Sequence, residues 1–228
     1  MKNLKDMPVQ LSSAKSRTHE QNLQTQPQQE QYPRQEEDSR RSELITKSAR
    51  LFREKGYEKT TVRDIAAAAG MQAGSWFYHF KTKQDILVAV MEQGMTRSLQ
   101  DIEAILARGL PPRETFRQLV RTHLQTLLAP NNDFIAVLLY EGRSLDEQAR
   151  TRIVALTDRY EALWDGVIEA LHSSGEWPSP TRFDRLFLFG TLNWTAQWFR
   201  SGAGTSIEDL AEQAIQFLLR APQKPVES

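Results

Sequence analysis

The sequence predicts an all-α protein, and three observations lead there. No stretch shows the sustained apolar–polar alternation of a half-buried strand. Apolar residues instead recur three and four apart through most of the chain after Arg41. Breakers then cut that pattern into pieces of helical length: Gly56, Gly70, Pro111-Pro112, Ala129-Pro130-Asn131-Asn132 and Ser201-Gly202-Ala203-Gly204. About nine helices are expected.

Taken in order, residues 1–40 carry eight glutamines, six basic and six acidic residues, and almost no apolar spacing. Such a segment cannot offset its ordering entropy, so a disordered Gln-rich tail is expected. The first helix starts near Arg41, with Leu44, Ile45, Ala49, Leu51 and Phe52 in phase and Gly56 as its stop. Thr61-x-x-Asp64 has the form of a capping box and opens a second helix through Ile65 and the alanines to Gly70. A third short helix is expected over 72–80, and Thr82 caps a fourth that runs through Ile86, Leu87 and Val90. Longer amphipathic helices follow over 111–128, 134–140, 146–172, 181–200 and 206–220.

Charge divides the 228 residues in the same way. Formal net charge is zero, yet residues 41–87 hold nine Lys/Arg against five Asp/Glu, and residues 88–228 hold fourteen against eighteen. A basic module of about 45 residues ahead of an acidic body suits an anion-binding head on a larger domain. The boundaries expected are therefore 1–40, 41–87 and 88–228. With no cysteine, disulfides, thiolate metal sites and cysteine nucleophiles are excluded. The opening MKNLKDMPVQ lacks the apolar core of a signal peptide, and the uncharged run from Leu186 to Phe199 is too short and polar to span a bilayer. A soluble, cytoplasmic protein is expected.

The stretch AAAAGMQAGSWFYHF, residues 66–80, carries the functional signal. Two short helices joined at a glycine within a basic segment read as a helix-turn-helix. Small residues such as Ala66 and Ala69 let the helices approach, and Gly70 tolerates a left-handed turn. Gly74 removes bulk where a recognition helix meets DNA, and its N–H can face a phosphate. Helical phase puts Trp76, Phe77 and Phe80 on one side and turns Tyr78 and His79 outward. An aromatic run is more often core than contact, which is the reading for Trp76 and Phe80. For Tyr78, His79, Lys81 and Lys83, phosphate contact is expected. Thr61 is a cap first and a phosphate ligand second, and Arg63 reads a phosphate or nothing. Gln72 and Ser75 are the candidates for base contact. His79 has no partner at metal-ligand spacing in His19, His123 or His172, so no metal and no cofactor are expected.

Residues 44–88, centred on TTVRDIAAAAGMQAGSWFYHFKTKQDIL, resemble the DNA-binding domain of the TetR family of transcriptional regulators. The chain departs from the family pattern at three places. Ala73 stands where Lys is common, Trp76 where Leu or Ile is usual, and Phe77 where Tyr is usual. At Phe77 only apolar contact with sugar or a thymine methyl is left.

The resemblance implies that the last two helices form a homodimer interface and that the C-terminal domain holds a ligand pocket. The segment RFDRLFLFGTLNWTAQWFRSGAGTSIEDLAEQAIQFLLR suits both. Its polar Asn193 and Gln197 sit in a stripe with Phe187, Gly190, Trp194 and Trp198. They serve either a dimer bundle or a ligand cavity. Leu210, Ile215 and Leu218 or Leu219 give the last helix its own apolar stripe. The segments LNWTAQWFR, EGRSL (141–145) and RYE (159–161) are similar to a branch that senses acyl-CoA thioesters of catabolic pathways. That likeness implies Arg121, Arg143, Tyr160, Trp164 and Trp194 as further ligand residues, with Arg143 equally suited to bonding carbonyls at a helix end. The function implied is a dimeric repressor released from a palindromic double-stranded DNA operator by a small hydrophobic effector, an acyl-CoA thioester in that branch. The alternative is a regulator of the same fold controlled by a drug-like or other small molecule or by a partner protein. No nucleophile elbow, metal cluster or phosphate loop supports an enzyme.

Overall fold

The computed structural model describes residues 31–130, 132–200, 202 and 204–219, with side chains from residue 37 onward. The described residues from 39 onward form one compact unit. Among the described residues there are eight α-helices, two 3₁₀ segments and no strand. The helices are α1 (Gln31–Lys55), α2 (Val62–Ala68), α3 (Lys83–Leu106), α4 (Pro112–Leu128), α5 (Phe134–Glu141), α6 (Glu147–Ser173), α7 (Arg182–Trp198) and α8 (Ile207–Leu218). The all-α expectation holds. Helix α1 begins ten residues before the expected Arg41, so residues 31–40 lie in a helix; the rest of the expected tail lies outside the described residues.

Four helices start on the same local device. In the capping box of α2, Thr61 Oγ1 accepts the N–H of Asp64 at 3.1 Å while Asp64 Oδ2 accepts the N–H of Thr61 at 2.9 Å. Thr82 with Asp85, Thr181 with Asp184, and Ser206 with Asp209 repeat it at α3, α7 and α8. Each pair satisfies two donors that a helix start leaves open. Gly70 closes the turn after α2 with φ of 64°, the left-handed conformation expected of it.

The expected third helix is a correction. Instead of an α-helix over 72–80, the chain makes a single 3₁₀ turn at Ser75–Tyr78. The change of pitch moves the side chains. At three residues per turn, Trp76 and His79 share a face, and Phe77 joins Tyr78 outside. Trp76 and Phe80 are buried and His79 half-buried, whereas Phe77 is 61% and Tyr78 86% exposed. Phe77 therefore does not share the inward side with Trp76.

Two apolar cores result. The first gathers Leu44, Phe52, Ile65, Trp76, Phe80 and Leu87. The second gathers Leu99, Phe116, Leu124, Trp164, Leu192 and Ile215. Helix α3 runs through both: Ile86–Met91 belong to the first and Met95, Leu99, Ile102 and Ile105 to the second. It packs on α4, α5 and α6, while α4 packs on α6, α7 and α8. Where α3 meets α5, a Cβ at Gly94 would lie 2.7 Å from Phe134 Cβ, so only glycine allows this approach. Helix α5 is also tied to the N-terminal core: Arg53 Nη1 donates to Asp133 Oδ1 at 2.7 Å, and Tyr57 N–H donates to Glu141 Oε1 at 3.2 Å.

Candidate DNA-binding face and ligand cavity

The helix-turn-helix places most of its candidates on one exposed segment. Buried Ala66 and Ala69 seat α2 on its neighbours, and Ile65 fills the space beneath. Arg63, Gln72, Ala73, Gly74 and Lys81 are exposed, as are Phe77 and Tyr78. Ser75 and His79 are half-buried. Thr61 is exposed and engaged with Asp64 as the cap of α2. At Gly74 an added Cβ would meet nothing within 4 Å, so nothing in the fold itself requires glycine there. Trp76 and Phe80 serve the core, and Arg41 covers the Phe80 ring at 4.8 Å.

Lys83 takes a different task from the one expected. Its Nζ donates to the carbonyl oxygens of Tyr57 at 2.9 Å and Thr60 at 3.1 Å, and lies 4.1 Å from the Tyr57 ring centroid. An ammonium committed to two carbonyls and an aromatic face clamps the turn between α1 and α2. It is not presented as a phosphate contact beside Lys81.

In the C-terminal body a cavity of about 130 Å³ opens between α3, α4, α5, α6 and α7. Its wall is mostly apolar, with Met95, Ile135, Leu138, Leu139 and Phe189, and polar groups enter it from Ser98, His123, Thr126, Thr157, Tyr160, Glu161 and Asn193. His123 organises the polar side. Its Nε2 lies 2.9 Å from Asn193 Oδ1 and its Nδ1 2.9 Å from Tyr160 Oη. Burial drives the His123 pKa down from 6.5 to about 4, against a smaller upward pull from Asn193, so the imidazole is neutral near neutral pH. Burial likewise pushes the Tyr160 phenol well above its usual range. Since Oδ1 of Asn193 has no proton to give, the neutral imidazole carries its hydrogen on Nε2 and accepts the Tyr160 hydroxyl proton at Nδ1.

Of the eight ligand residues expected, Tyr160 and Asn193 line this cavity and six do not. Arg121 is held at 2.8 Å by Glu208 and 3.0 Å by Glu212, joining α4 to α8. Trp164 is fully buried, packed edge-on to Phe116, His123 and Phe189 behind the cavity wall. Arg143 sits exposed on the 3₁₀ turn Gly142–Ser144 after α5. Gln197 donates to the Tyr140 hydroxyl on the surface. Trp194 and Trp198 face outward, 66% and 53% exposed. They continue a stripe begun by Phe183 and Phe187, at spacings of four, seven and four residues along α7. Leu210 and Leu218 of α8 are instead half-buried against their own core, and Ile215 is fully inside.

Comparison with known proteins decides the family. Residues 44–90 match the model of bacterial regulatory proteins of the tetR family, and residues 109–221 match the tetracyclin repressor-like C-terminal domain. The transcriptional repressor KstR2 of Rhodococcus jostii is 31% identical over 191 residues, covering 82% of this chain and 92% of its own. The chain belongs to the TetR family. Solved structures agree with that placement. The chain titled superantigen PfiT is 39% identical, with a TM-score of 0.68 over 81% of this chain and 98% of its own. AibR, solved with isovaleryl coenzyme A and operator DNA, is 22% identical with a TM-score of 0.73 over 79% of this chain and 98% of its own, a likeness of fold.

As a TetR-family regulator the chain binds DNA, and among its described residues no helix is long and apolar enough to cross a membrane and no metal-binding cluster occurs. His123, weighed in the sequence only as a metal partner for His79, and Ser98 both belong to the cavity wall. Both carried a signal: each interrupts the apolar stripe of a long helix, His123 between Val120 and Leu124 on α4, Ser98 between Met95 and Ile102 on α3.

Three outcomes follow from this geometry. Lys83→Ala is expected to lower unfolding stability by about 1–3 kcal/mol while leaving the salt slope of operator binding unchanged. Lys81→Ala is expected to reduce that slope by about one unit per contact removed, as salt titration of operator binding will show. For His123 the unfolded chain takes up, between pH 6.5 and 4, a proton that the folded chain refuses. Stability from this group is thus fully present above pH 6.5 and falls as pH drops toward 4, by about 3 kcal/mol. Denaturant titrations across that range should show the slope in the natural chain and its loss in His123→Gln.

Proposed function

We propose that this TetR-family protein is a homodimeric repressor that leaves a palindromic operator when the short acyl group of a coenzyme A thioester enters the cavity. The observation that carries the reading is the cavity wall itself. Helix α5 contributes Ile135, Leu138 and Leu139 to it, and the ends of the same helix hold the DNA-binding core through Asp133 and Glu141. A guest that moves α5 therefore acts on the segment bearing Thr61, Arg63, Gln72, Ala73, Gly74, Ser75, Phe77, Tyr78, His79 and Lys81.

Size and polarity support the effector class. An apolar cavity of roughly 150 Å³ takes a benzene-sized guest. At about 130 Å³ this one suits a short or branched acyl group rather than a fused ring system. No Lys or Arg lines it, so a nucleotide stays outside, within the province of exposed groups such as Arg143 just beyond α5. That AibR was solved with isovaleryl coenzyme A makes this thioester the first one to test. Dimerisation rests on the outward aromatic stripe of α7, where Phe187 is 71% exposed. An apolar row of this kind marks a protein–protein surface, and a two-fold dimer would present two DNA-binding segments to successive major grooves.

The test is a panel of isovaleryl coenzyme A, other short acyl thioesters, free acids and coenzyme A alone against the preformed operator complex. Thioesters are expected to lower operator affinity about a hundredfold, a state preference of about 2.7 kcal/mol. Release by free acids or unrelated drugs but not by thioesters would favour a drug-like effector, and release by none of them a partner protein. Trp194→Glu is expected to give monomers in sedimentation with poor operator affinity. Charge at Leu210 or Leu218 would instead disturb the protomer's own core.

A further inference from the structure

Two polar groups on the cavity wall keep hydrogen-bonding capacity to spare. Ser98, on α3, is 5% exposed, and its Oγ makes no hydrogen bond. A serine inside a helix ordinarily satisfies its hydroxyl on the carbonyl one turn back. Thr157, elsewhere on the wall, does so, donating to Ile153 O at 3.0 Å, and Ser98 does not. A buried hydroxyl without a partner is costly, and retaining one calls for a reason.

The second group is the amide of Asn193 on α7. Its Oδ1 is occupied by His123 Nε2–H, and His123 is in turn fixed by the Tyr160 hydroxyl. The chain of donors runs one way, from Tyr160 through His123 to Asn193. It fixes the orientation of the amide and leaves the two N–H groups of Nδ2 as donors at the cavity wall. The surrounding charge is unfriendly to anions. Among the lining residues, the groups that titrate are neutral His123, neutral Tyr160 and Glu161, whose carboxylate pairs with Arg185 at 3.2 Å.

The geometry points to Ser98 Oγ and Asn193 Nδ2 as a two-point anchor for one uncharged acceptor oxygen, the carbonyl of a ketone, ester or thioester, in a cavity that rejects the matching carboxylate. This deepens the effector reading and rests on it only for the claim that the cavity is the effector site. A carboxylate would find the same two donors, but it would enter an apolar space without a countercharge and beside Glu161. The desolvation of an unpaired anion outweighs two neutral hydrogen bonds. A hydrocarbon of the same shape would leave both donors as they are in the empty cavity.

Three probes of seven heavy atoms each separate these cases: 4-methylpentan-2-one, isovalerate and 2,4-dimethylpentane. Their affinities for the full-length protein at neutral pH, read from ligand-observed magnetic resonance, are expected to favour the ketone by about tenfold over either of the others. Ser98→Ala should lose about tenfold in ketone affinity while keeping its affinity for the hydrocarbon and keeping or raising its melting temperature. A serine serving only to hold the fold would lower the melting temperature. Asn193→Asp keeps an acceptor for His123 Nε2–H and removes the donors, and it should lose the ketone preference. Isovalerate binding as tightly as the ketone, a Ser98→Ala variant that binds the ketone as the parent does, or no ketone binding up to its solubility would each overturn the anchor. Operator release by isovaleryl coenzyme A, measured on the same proteins, keeps the two readings apart. Release that is indifferent to Ser98→Ala sinks the anchor and spares the effector. Ser98-dependent ketone binding without release by any thioester sinks the effector and spares the anchor.

Discussion

The close approach of α3 and α5 at Gly94 is the contact on which the rest of the molecule depends. Helix α3 puts one half of its length into the DNA-binding core and the other into the C-terminal core. Helix α5 can lie along it only because residue 94 has no side chain, with Phe134 filling the space that a Cβ would occupy. Packed interiors do not absorb an ångström of misfit smoothly, so a change at this seam displaces whole helices. Helices α3 and α5 are thereby shared between the cavity wall and the DNA-binding core.

The links from α5 to the N-terminal core have unequal characters. The Arg53–Asp133 pair is short, and its carboxylate is nearly buried, which favours a defined geometry over a fluctuating surface contact. The bond from Tyr57 N–H to Glu141 fixes the backbone of the turn after α1, and Lys83 holds the same turn from α3 through its carbonyls. One turn, Gly56 to Thr60, is thus gripped from both helices that meet at Gly94. Its neighbour across Thr61 is α2, the scaffold of the exposed segment at 72–81.

Much of this was legible in the sequence because it is written in local chemistry. Capping residues, glycine turns and three-to-four spacing placed helices α2 to α8 to within a few residues, though not the start of α1 at Gln31, and the stretch at 66–80 identified the DNA-binding element. What failed depended on pitch or on distance along the chain. A 3₁₀ turn in place of an α-helical one rotates Phe77 outward, and no periodicity within four residues separates those outcomes. Lys83 bonds carbonyls 23 and 26 residues away, and Arg121 meets carboxylates 87 and 91 residues away. The expected stripe on α7 splits, with Phe187, Trp194 and Trp198 outward and Asn193 on the cavity wall, because an outward apolar row and an inward one have the same spacing. Tyr160 and Asn193 were found, while His123, which joins them, lies on a third helix.

The division of the cavity wall among helices also sets rules for anyone refitting this scaffold to a new small molecule. Positions on α4 and α7, such as Thr126 and Phe189, touch the cavity from helices with no residue in the DNA-binding core. Under the proposed effector reading, reshaping them changes which guest fits and leaves the helices shared with the DNA-binding core alone. Met95, Ile135 and Leu138 sit on α3 and α5, which together with α6 also give residues to the DNA-binding core. Under the proposed effector reading, edits there alter the gain of a biosensor together with its selectivity. A mutational library confined to the first set explores chemistry, and one that includes the second explores chemistry and signalling at once.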